Sequence, residues 1–244
     1  LSNGDELVPP EEFQQVLSGR GIPETNGPTL AAAVELAGGI PIPLGIARDR
    51  APDILEKVER ARSEAADVLL TSGGASMGEK DLLKRVLAEA GLSLDFWRVK
   101  MRPGTPFSFG FLGADGVPGI PVFGLPGNPA SSFVTFQVFC RPFLLRLGGH
   151  GRFHRPVLQC RAGEELSSPP HLTHFFRVTL QGDPGRQEAL LTGPQTSGLV
   201  RSQGIAQGLA VVPEGVSRIG PGEPVMVILL DDFGMGGAEA GFLS

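Results

Sequence analysis

The chain is poor in cysteine: Cys140 and Cys160 are the only two in 244 residues. Two thiols make neither a disulfide framework nor a four-thiolate metal site, and they fit a reducing, cytoplasmic setting. Long apolar stretches are also missing, since no run approaches the roughly 20 residues that a membrane-spanning helix needs. The opening residues do not read as a secretory leader. Positive charge is in short supply: 21 Lys and Arg against 26 Asp and Glu leave a net charge of -5. That balance excludes general attraction to nucleic acid or to an anionic membrane, so an anionic ligand needs a local cluster of cations. Histidine is scarce too. His150 and His154, and His171 and His174, fall in loop-like segments without a third ligand, which argues against zinc. What remains is 41% hydrophobic and 19% charged, the make-up of an ordinary globular protein. Its length predicts two modest domains, each with its own core.

Between residues 26 and 149 helical and strand periods alternate, the pattern of a parallel or mixed sheet covered by helices. Asn26 is placed to cap a first helix, with Pro28 in its first turn and Gly38-Gly39 at its end. Ile40 to Ile46 reads as a strand. A second helix from Pro52 carries Ile54, Leu55, Val58 and Ala61 on one face, and Val68 to Leu70 is a short buried strand. A third helix carries Leu82, Leu83, Val86, Leu87 and Ala90. Phe96 to Met101 and Phe107 to Phe111 alternate with period two, Val122 to Leu125 is a strand, and a long helix runs from Pro129 to Leu147. After Gly151 the helical period disappears. Short apolar strands such as 157 to 160, 175 to 180, 209 to 212 and 225 to 230 alternate with Gly and Pro turns, predicting a small barrel or sandwich. The expected division is 1–149 for the α/β domain, 153–231 for the β domain, and a loose Gly-rich tail over 232–244.

The richest stretch runs from Val68 to Asp81: a buried strand, the glycines Gly73, Gly74 and Gly78 around Ser76, and the start of a helix. Glycines admit close backbone approach and a helix start offers unpaired N–H groups, so the turn is a candidate anion cradle. Open α/β sheets bind ligands at the carboxyl ends of their strands, where this turn falls. Gly74-Ala75-Ser76-Met77-Gly78 also satisfies the G-x-S-x-G pattern of a hydrolase elbow, with Asp95 or Asp115 and His150 or His154 in the required order. Against that, Ser72, Gly73 and Gly74 intervene between strand and serine. Cations come from Arg98, Lys100 and Arg102, which share one face if the segment is a strand. They lead into Pro103-Gly104-Thr105-Pro106, a rigid turn. Acids at strand or turn ends complete the set: Asp5, Glu6, Asp49, Glu79 and Asp81. Carboxylates beside phosphates commonly hold magnesium.

Gly4-Asp5-Glu6-Leu7, the loop from Thr71 to Asp81, Arg102-Pro103-Gly104 and Leu125-Pro126-Gly127-Asn128-Pro129, in that order, resemble the molybdopterin molybdenumtransferases. That family includes the bacterial MoeA proteins and the E domains of gephyrin and its plant counterpart. The resemblance implies a doubly wound, three-layer α/β domain followed by a small all-β, barrel-like domain. It also implies insertion of molybdate into adenylylated molybdopterin with release of AMP, and magnesium as the metal. Carried over residue by residue, Asp49 and Asp81 match the metal positions, Glu6 the acid of the first turn, and Arg98 a basic position near the substrate. Gly73, Gly74, Ser76, Gly78 and Asn128 fall in the substrate loops. The oxyanion site would draw on Arg102, Thr105, Pro106 and Ser131, with Arg177 and Ser197 from the β domain.

Three departures stand out. Arg102 and Thr105 occupy positions where the family usually has lysine; arginine keeps the charge, whereas threonine removes a cation from the oxyanion pocket. Asn3 replaces a hydroxyl residue before the Gly-Asp-Glu turn. The family's upstream domains, through which it forms homodimers, have no counterpart, so the chain reads as a fragment. Other readings stay open: a molybdopterin adenylyltransferase, which is also the expected partner from the preceding step, a non-catalytic gephyrin-like scaffold, and the serine hydrolase using Ser76.

Overall fold

The computed structural model describes residues 1–73, 82–113, 119–183, 185–196, 198 and 200–230. Gly74, Ser76, Gly78, Glu79, Asp81, Asp115, Ser197 and the tail over 232–244 lie outside the described residues. The chain divides into two compact units, Leu1–Val99 with Gly104–Phe153, and Lys100–Pro103 with His154–Ser244.

The first unit is built on a six-stranded sheet in the order Ile46–Ala47, Ser2–Asn3, Leu69–Ser72, Ile120–Leu125, Ser108–Leu112, Leu92–Phe96. The first four strands are parallel, Ser108–Leu112 runs antiparallel to them, and Leu92–Phe96, antiparallel to Ser108–Leu112, runs in their direction. Side chains alternate between the faces. Leu69 and Val122 join one core with Ile54 and Val58 of the helix Ala51–Ser63 and with Leu83, Val86 and Leu87 of the helix Leu82–Glu89. Leu70, Phe123 and Leu125 join a second core with Leu30 and Ala33 of the helix Asn26–Leu36 and with Phe136 and Cys140. The sheet is thus doubly wound, with a hydrophobic layer on each face.

Local chemistry accounts for the elements. The helix 51–63 has Pro52 and Asp53 in its first turn and Arg60 and Arg62 in its last, matching its dipole, and it buries Ile54, Val58 and Ala61 at helical spacing. The segment expected as a strand over 40–46 pairs only at Ile46–Ala47, because Pro41 and Pro43 have no N–H to give a ladder. The long helix spans Pro129 to Leu147 with a wider π turn over Phe136–Cys140. There the N–H of Arg141 reaches back to the carbonyl of Phe136, just before Pro142, whose nitrogen has no proton for the regular ladder. Gly148 and Gly149 end it, Gly149 with φ 82°, and the N–H of His150 returns to the carbonyl of Leu145 at 2.9 Å.

The second unit closes five strands into a barrel, in the order Glu188–Leu191, Val157–Ala162, Pro224–Leu229, Gly208–Val212, Thr173–Gln181, with the last pairing back to the first. Closure removes free edges and settles the barrel-or-sandwich alternative. Compact residues fill the interior, among them Ala162, Val178, Ala189, Ala210, Val212 and Val227, with Phe176 the largest. Met101–Arg102 adds a short parallel strand beside Thr173 and His174. The strand expected over 96–101 therefore does not form. One strand stops at Phe96 in the first unit, and the next, at 101–102, belongs to the second, so Arg98, Lys100 and Arg102 do not line one face.

Candidate functional site

In the first unit the carboxyl ends of the four parallel strands deliver adjacent loops: Arg48-Asp49, Gly4-Asp5-Glu6, Gly73, and Pro126-Gly127-Asn128. Hydrogen bonds tie them in pairs. The N–H of Asp49 donates to the Asp5 carboxylate at 3.0 Å, and Arg48 Nη1 donates to the carbonyls of Asp5 at 3.0 Å and Leu7 at 2.8 Å. One oxygen of Asp5 is thus engaged in holding the next loop, whereas Asp49 and Glu6 stand exposed. Asn26 does not cap its helix, which begins after Thr25. Its Nδ2 instead donates to Ser72 Oγ at 2.6 Å and to the carbonyl of Gly127 at 2.7 Å, clamping the loops that follow strands 69–72 and 120–125.

Gly73 is required by space as well as by conformation. A Cβ on Gly73, at φ 94°, would lie 2.3 Å from the carbonyl oxygen of Asn3. Gly4 is held by conformation, at φ 153°; a Cβ there would meet only the Glu6 carboxylate, the end of an exposed and flexible side chain. Asn128 is exposed at the head of the helix 129–135, without a side-chain capping bond, and Ser131 is buried one turn in. Thr105 and Pro106 are half-buried, and the Thr105 carbonyl accepts the N–H groups of Val99 at 3.1 Å and Phe107 at 2.9 Å. Arg98 is exposed, its guanidinium 5.2 Å from the centroid of the Trp97 ring.

Arg177 dominates the second unit. It lies on the strand 173–181 and is fully buried, at 0% exposure. Its Nε donates to Ser202 Oγ at 2.8 Å and its Nη2 to the carbonyl of Thr196 at 3.2 Å, while Nη1 finds no partner among the described residues. A buried guanidinium with one N–H group left open is expensive unless an acceptor joins it. Burial also pushes the Arg177 pKa down from its ordinary value. Two neighbours share this condition: His174 Nδ1 and Gln203 Nε2 are buried without partners among the described residues. The His174 ring stacks on Phe176 at 3.7 Å. Burial, then the charges of Arg102 and Arg177, push its pKa down to about 4, so the imidazole is neutral near pH 7. Arg102 pairs with His174 in the ladder and is exposed. Lys100 is engaged by Glu214 at 2.9 Å.

The site residues expected from the sequence fall into three groups. Glu6, Asp49, Gly73 and Asn128 come together at the strand ends of the first unit, where Arg98, Thr105, Pro106 and Ser131 also belong. Arg102 and Arg177 are in the second unit. Gly74, Ser76, Gly78, Asp81 and Ser197 are outside the described residues, and with them half of the expected metal pair. The sequence reading took Asn26 only as a helix cap and passed over Gln203, the packing of His174 and the placement of Arg98 against the Trp97 ring. Only tertiary contact reveals these. For a magnesium ion, Asp49 supplies an exposed carboxylate on a loop anchored by Asp5, the kind of oxygen ligand the ion takes one or two of.

Residues 1–146 match the family model described as "Probable molybdopterin binding domain", and residues 159–230 match the "MoeA C-terminal region (domain IV)". The chain belongs to the molybdopterin-binding domain family. It is 34% identical to a molybdopterin molybdenumtransferase of Nostoc, over 94% of this chain and 52% of that protein. The Haemophilus influenzae protein of the same name is 37% identical over 76% of this chain and 40% of its own length. The gephyrin of Dictyostelium discoideum is 29% identical over 94% of this chain and 36% of its length. A crystal structure of a molybdopterin biosynthesis MoeA protein from Pyrococcus horikoshii superposes with a TM-score of 0.76 at 33% identity, over 94% of this chain and 53% of that one. The chain spans about half the length of the curated relatives it matches. No helix among the described residues is long and apolar enough to cross a membrane.

Proposed function

We propose that this chain is the substrate-handling part of a molybdopterin molybdenumtransferase, which inserts molybdate into adenylylated molybdopterin and releases AMP. The observation that carries the reading is Arg177, a fully buried guanidinium whose Nη1 has no acceptor among the described residues. A small oxyanion supplies acceptors there, and a guanidinium fork suits it. Family membership and the names of the relatives support the same chemistry.

In this reading the second unit takes molybdate, held by Arg177 with Ser197 and assisted by Arg102. The pterin nucleotide falls to the first unit, on the loop of Gly73, Gly74, Ser76 and Gly78, with Asn128, Ser131, Thr105 and Pro106. Asp49 and Asp81 would hold magnesium, which when bound neutralises charge on phosphate oxygens. An oxygen of molybdate or of water attacks phosphorus and forms the new P–O bond as the phosphoanhydride bond breaks, AMP leaves with its phosphate, and Arg98 stabilises the charge that grows on the phosphate oxygens. Glu6, poised beside Gly4, is the remaining acid of the site. A homodimer and delivery of substrate by the preceding adenylyltransferase complete the proposal. In the whole protein, Asp49→Asn should abolish magnesium-dependent AMP release while the fold, read by circular dichroism, persists. Unchanged release removes Asp49 from the mechanism.

A further inference from the structure

The strand Glu188–Leu191 ends opposite Val178, one residue short of Arg177, while on the other side of the strand 173–181 Arg177 lies opposite Leu209. Thr192 still donates its N–H to the Arg177 carbonyl at 3.0 Å. Gly193, at φ 94°, and Pro194 then bend the chain out of the ladder. The missing half of the rung is supplied by a side chain. Gln195 Oε1 accepts the N–H of Arg177 at 2.9 Å, and Gln195 Nε2 donates to the carbonyls of Arg177 at 3.2 Å and Gly193 at 3.0 Å. These partners fix which way the amide faces, because a backbone N–H only donates and a carbonyl only accepts. No backbone–backbone hydrogen bond holds Gln195 or Thr196 among the described residues, and Thr196 is exposed. Yet the Thr196 carbonyl, 3.2 Å from Nη2, is one of the acceptors that orient the Arg177 guanidinium. All of these residues belong to the second unit.

We infer that Gln195 is a positioning residue of the oxyanion pocket: its amide, paired with the backbone of Arg177, holds the next residue where its carbonyl orients the guanidinium of that same arginine. This deepens the function proposed above and rests on it, since the pocket is the one assigned to molybdate. Consecutive Cα atoms lie about 3.8 Å apart, so an anchored residue 195 confines the carbonyl of residue 196 to the neighbourhood of Nη2. Freed from that anchor, an exposed loop gains conformational freedom and the guanidinium loses a fixed acceptor. A donor oriented in advance binds an anion more tightly than one that must be ordered as the anion arrives. Gln195 touches no ligand in this account and acts only through Arg177.

Gln195→Leu removes the amide at similar size, and Gln195→Asn keeps the amide but leaves it one methylene short of the rung. Thr192→Val, in the same loop, removes only the hydroxyl bonds, to the Arg177 carbonyl at 3.2 Å and from Gln195 Nε2 at 3.4 Å. Calorimetric titration with molybdate and heteronuclear NMR of the arginine Nε–H groups are run on the 244-residue chain, the Arg177 resonance being the one absent from Arg177→Met. Circular dichroism confirms that each variant is folded. Both Gln195 variants should bind molybdate about tenfold more weakly, the order expected for loss of a neutral hydrogen-bonded pair, and should broaden the Arg177 resonance or open it to solvent exchange. Thr192→Val should do neither. Molybdate bound by the Gln195 variants as tightly as by the unaltered chain, or weaker binding with an unmoved resonance, overturns the inference and leaves the oxyanion reading standing. Equal broadening in Thr192→Val overturns it as well, since any loosening of the loop would then suffice. If the unaltered chain binds no molybdate, the oxyanion reading of the pocket fails and the inference falls with it.

Discussion

Replacing Arg177 by methionine separates a ligand-binding guanidinium from a structural one. Methionine is close in volume and apolar, so the change deletes the charge without opening a large cavity. Two side-chain bonds disappear, to Ser202 at 2.8 Å and to Thr196 at 3.2 Å. Bonds from a charged donor contribute about 1.5–3 kcal/mol each. Opposing that loss, the fold no longer desolvates a cation, which costs several kcal/mol, and no longer leaves Nη1 unmade, worth about 1–3 kcal/mol. The opposing contributions nearly cancel, so stability by urea unfolding should change by less than about 2 kcal/mol in either direction. Oxyanion binding should not be spared. Loss of one charge-assisted contact, about 1.5–3 kcal/mol, weakens molybdate binding roughly 10- to 150-fold, which titration calorimetry reads directly. If Arg177→Met binds molybdate as well as the unaltered chain does, the open N–H group serves no ligand and the argument from its burial fails. Marked destabilisation with unchanged binding would assign Arg177 to the barrel instead.

Two further outcomes follow from the same geometry. The His174 pKa, about 4 in the fold against an ordinary 6.5, means that the unfolded chain binds the proton more readily. Its contribution to stability is therefore complete above about pH 6.5 and is lost as pH falls towards 4, by about 3 kcal/mol across the window; His174→Phe, stacked on Phe176, should flatten that acid limb in urea titrations at pH 7 and 4.5. Gly73→Ala should lower stability by more than about 1 kcal/mol in a thermal melt, because the positive φ is strained for alanine and its Cβ meets the Asn3 carbonyl at 2.3 Å; an unchanged melting temperature would show that the turn can shift freely.

Much of the fold was legible because its signals are local. The helix 51–63 announces itself in the spacing of Ile54, Val58 and Ala61, and the barrel in short apolar runs between glycines and prolines. The failures are equally physical. Alternation over 96–101 looks like one strand, yet the chain leaves one sheet after Phe96 and enters another at Met101, a change that no period-two pattern encodes. Isoleucines at 40 and 42 favour a strand, but the prolines between and after them deny it partners. The site was legible where loops follow strands, as at Asp49 and Gly73. It was not legible where function depends on what a side chain lacks. Nothing in Phe175-Phe176-Arg177-Val178 says that one nitrogen of the arginine goes unpaired among the described residues, and nothing around Asn26 says that it clamps Ser72 to Gly127.

The charge balance sharpens the case for Arg177. With a net charge of -5 the protein as a whole repels the oxyanion and nucleotide it is proposed to bind, and attraction from exposed cations fades within about 10 Å in physiological salt. Capture must therefore come from groups that solvent does not screen. Lys100 is exposed and already paired with Glu214, so it adds little. Arg177 is enclosed, two of its nitrogens fix its orientation, and the third has no partner among the described residues. On the same strand, Phe176 and Val178 fill the barrel core, which holds the arginine between them on a rigid support. A negatively charged protein can bind an anion selectively in this way: it confines the attraction to one desolvated donor and leaves its surface repulsive to other anions.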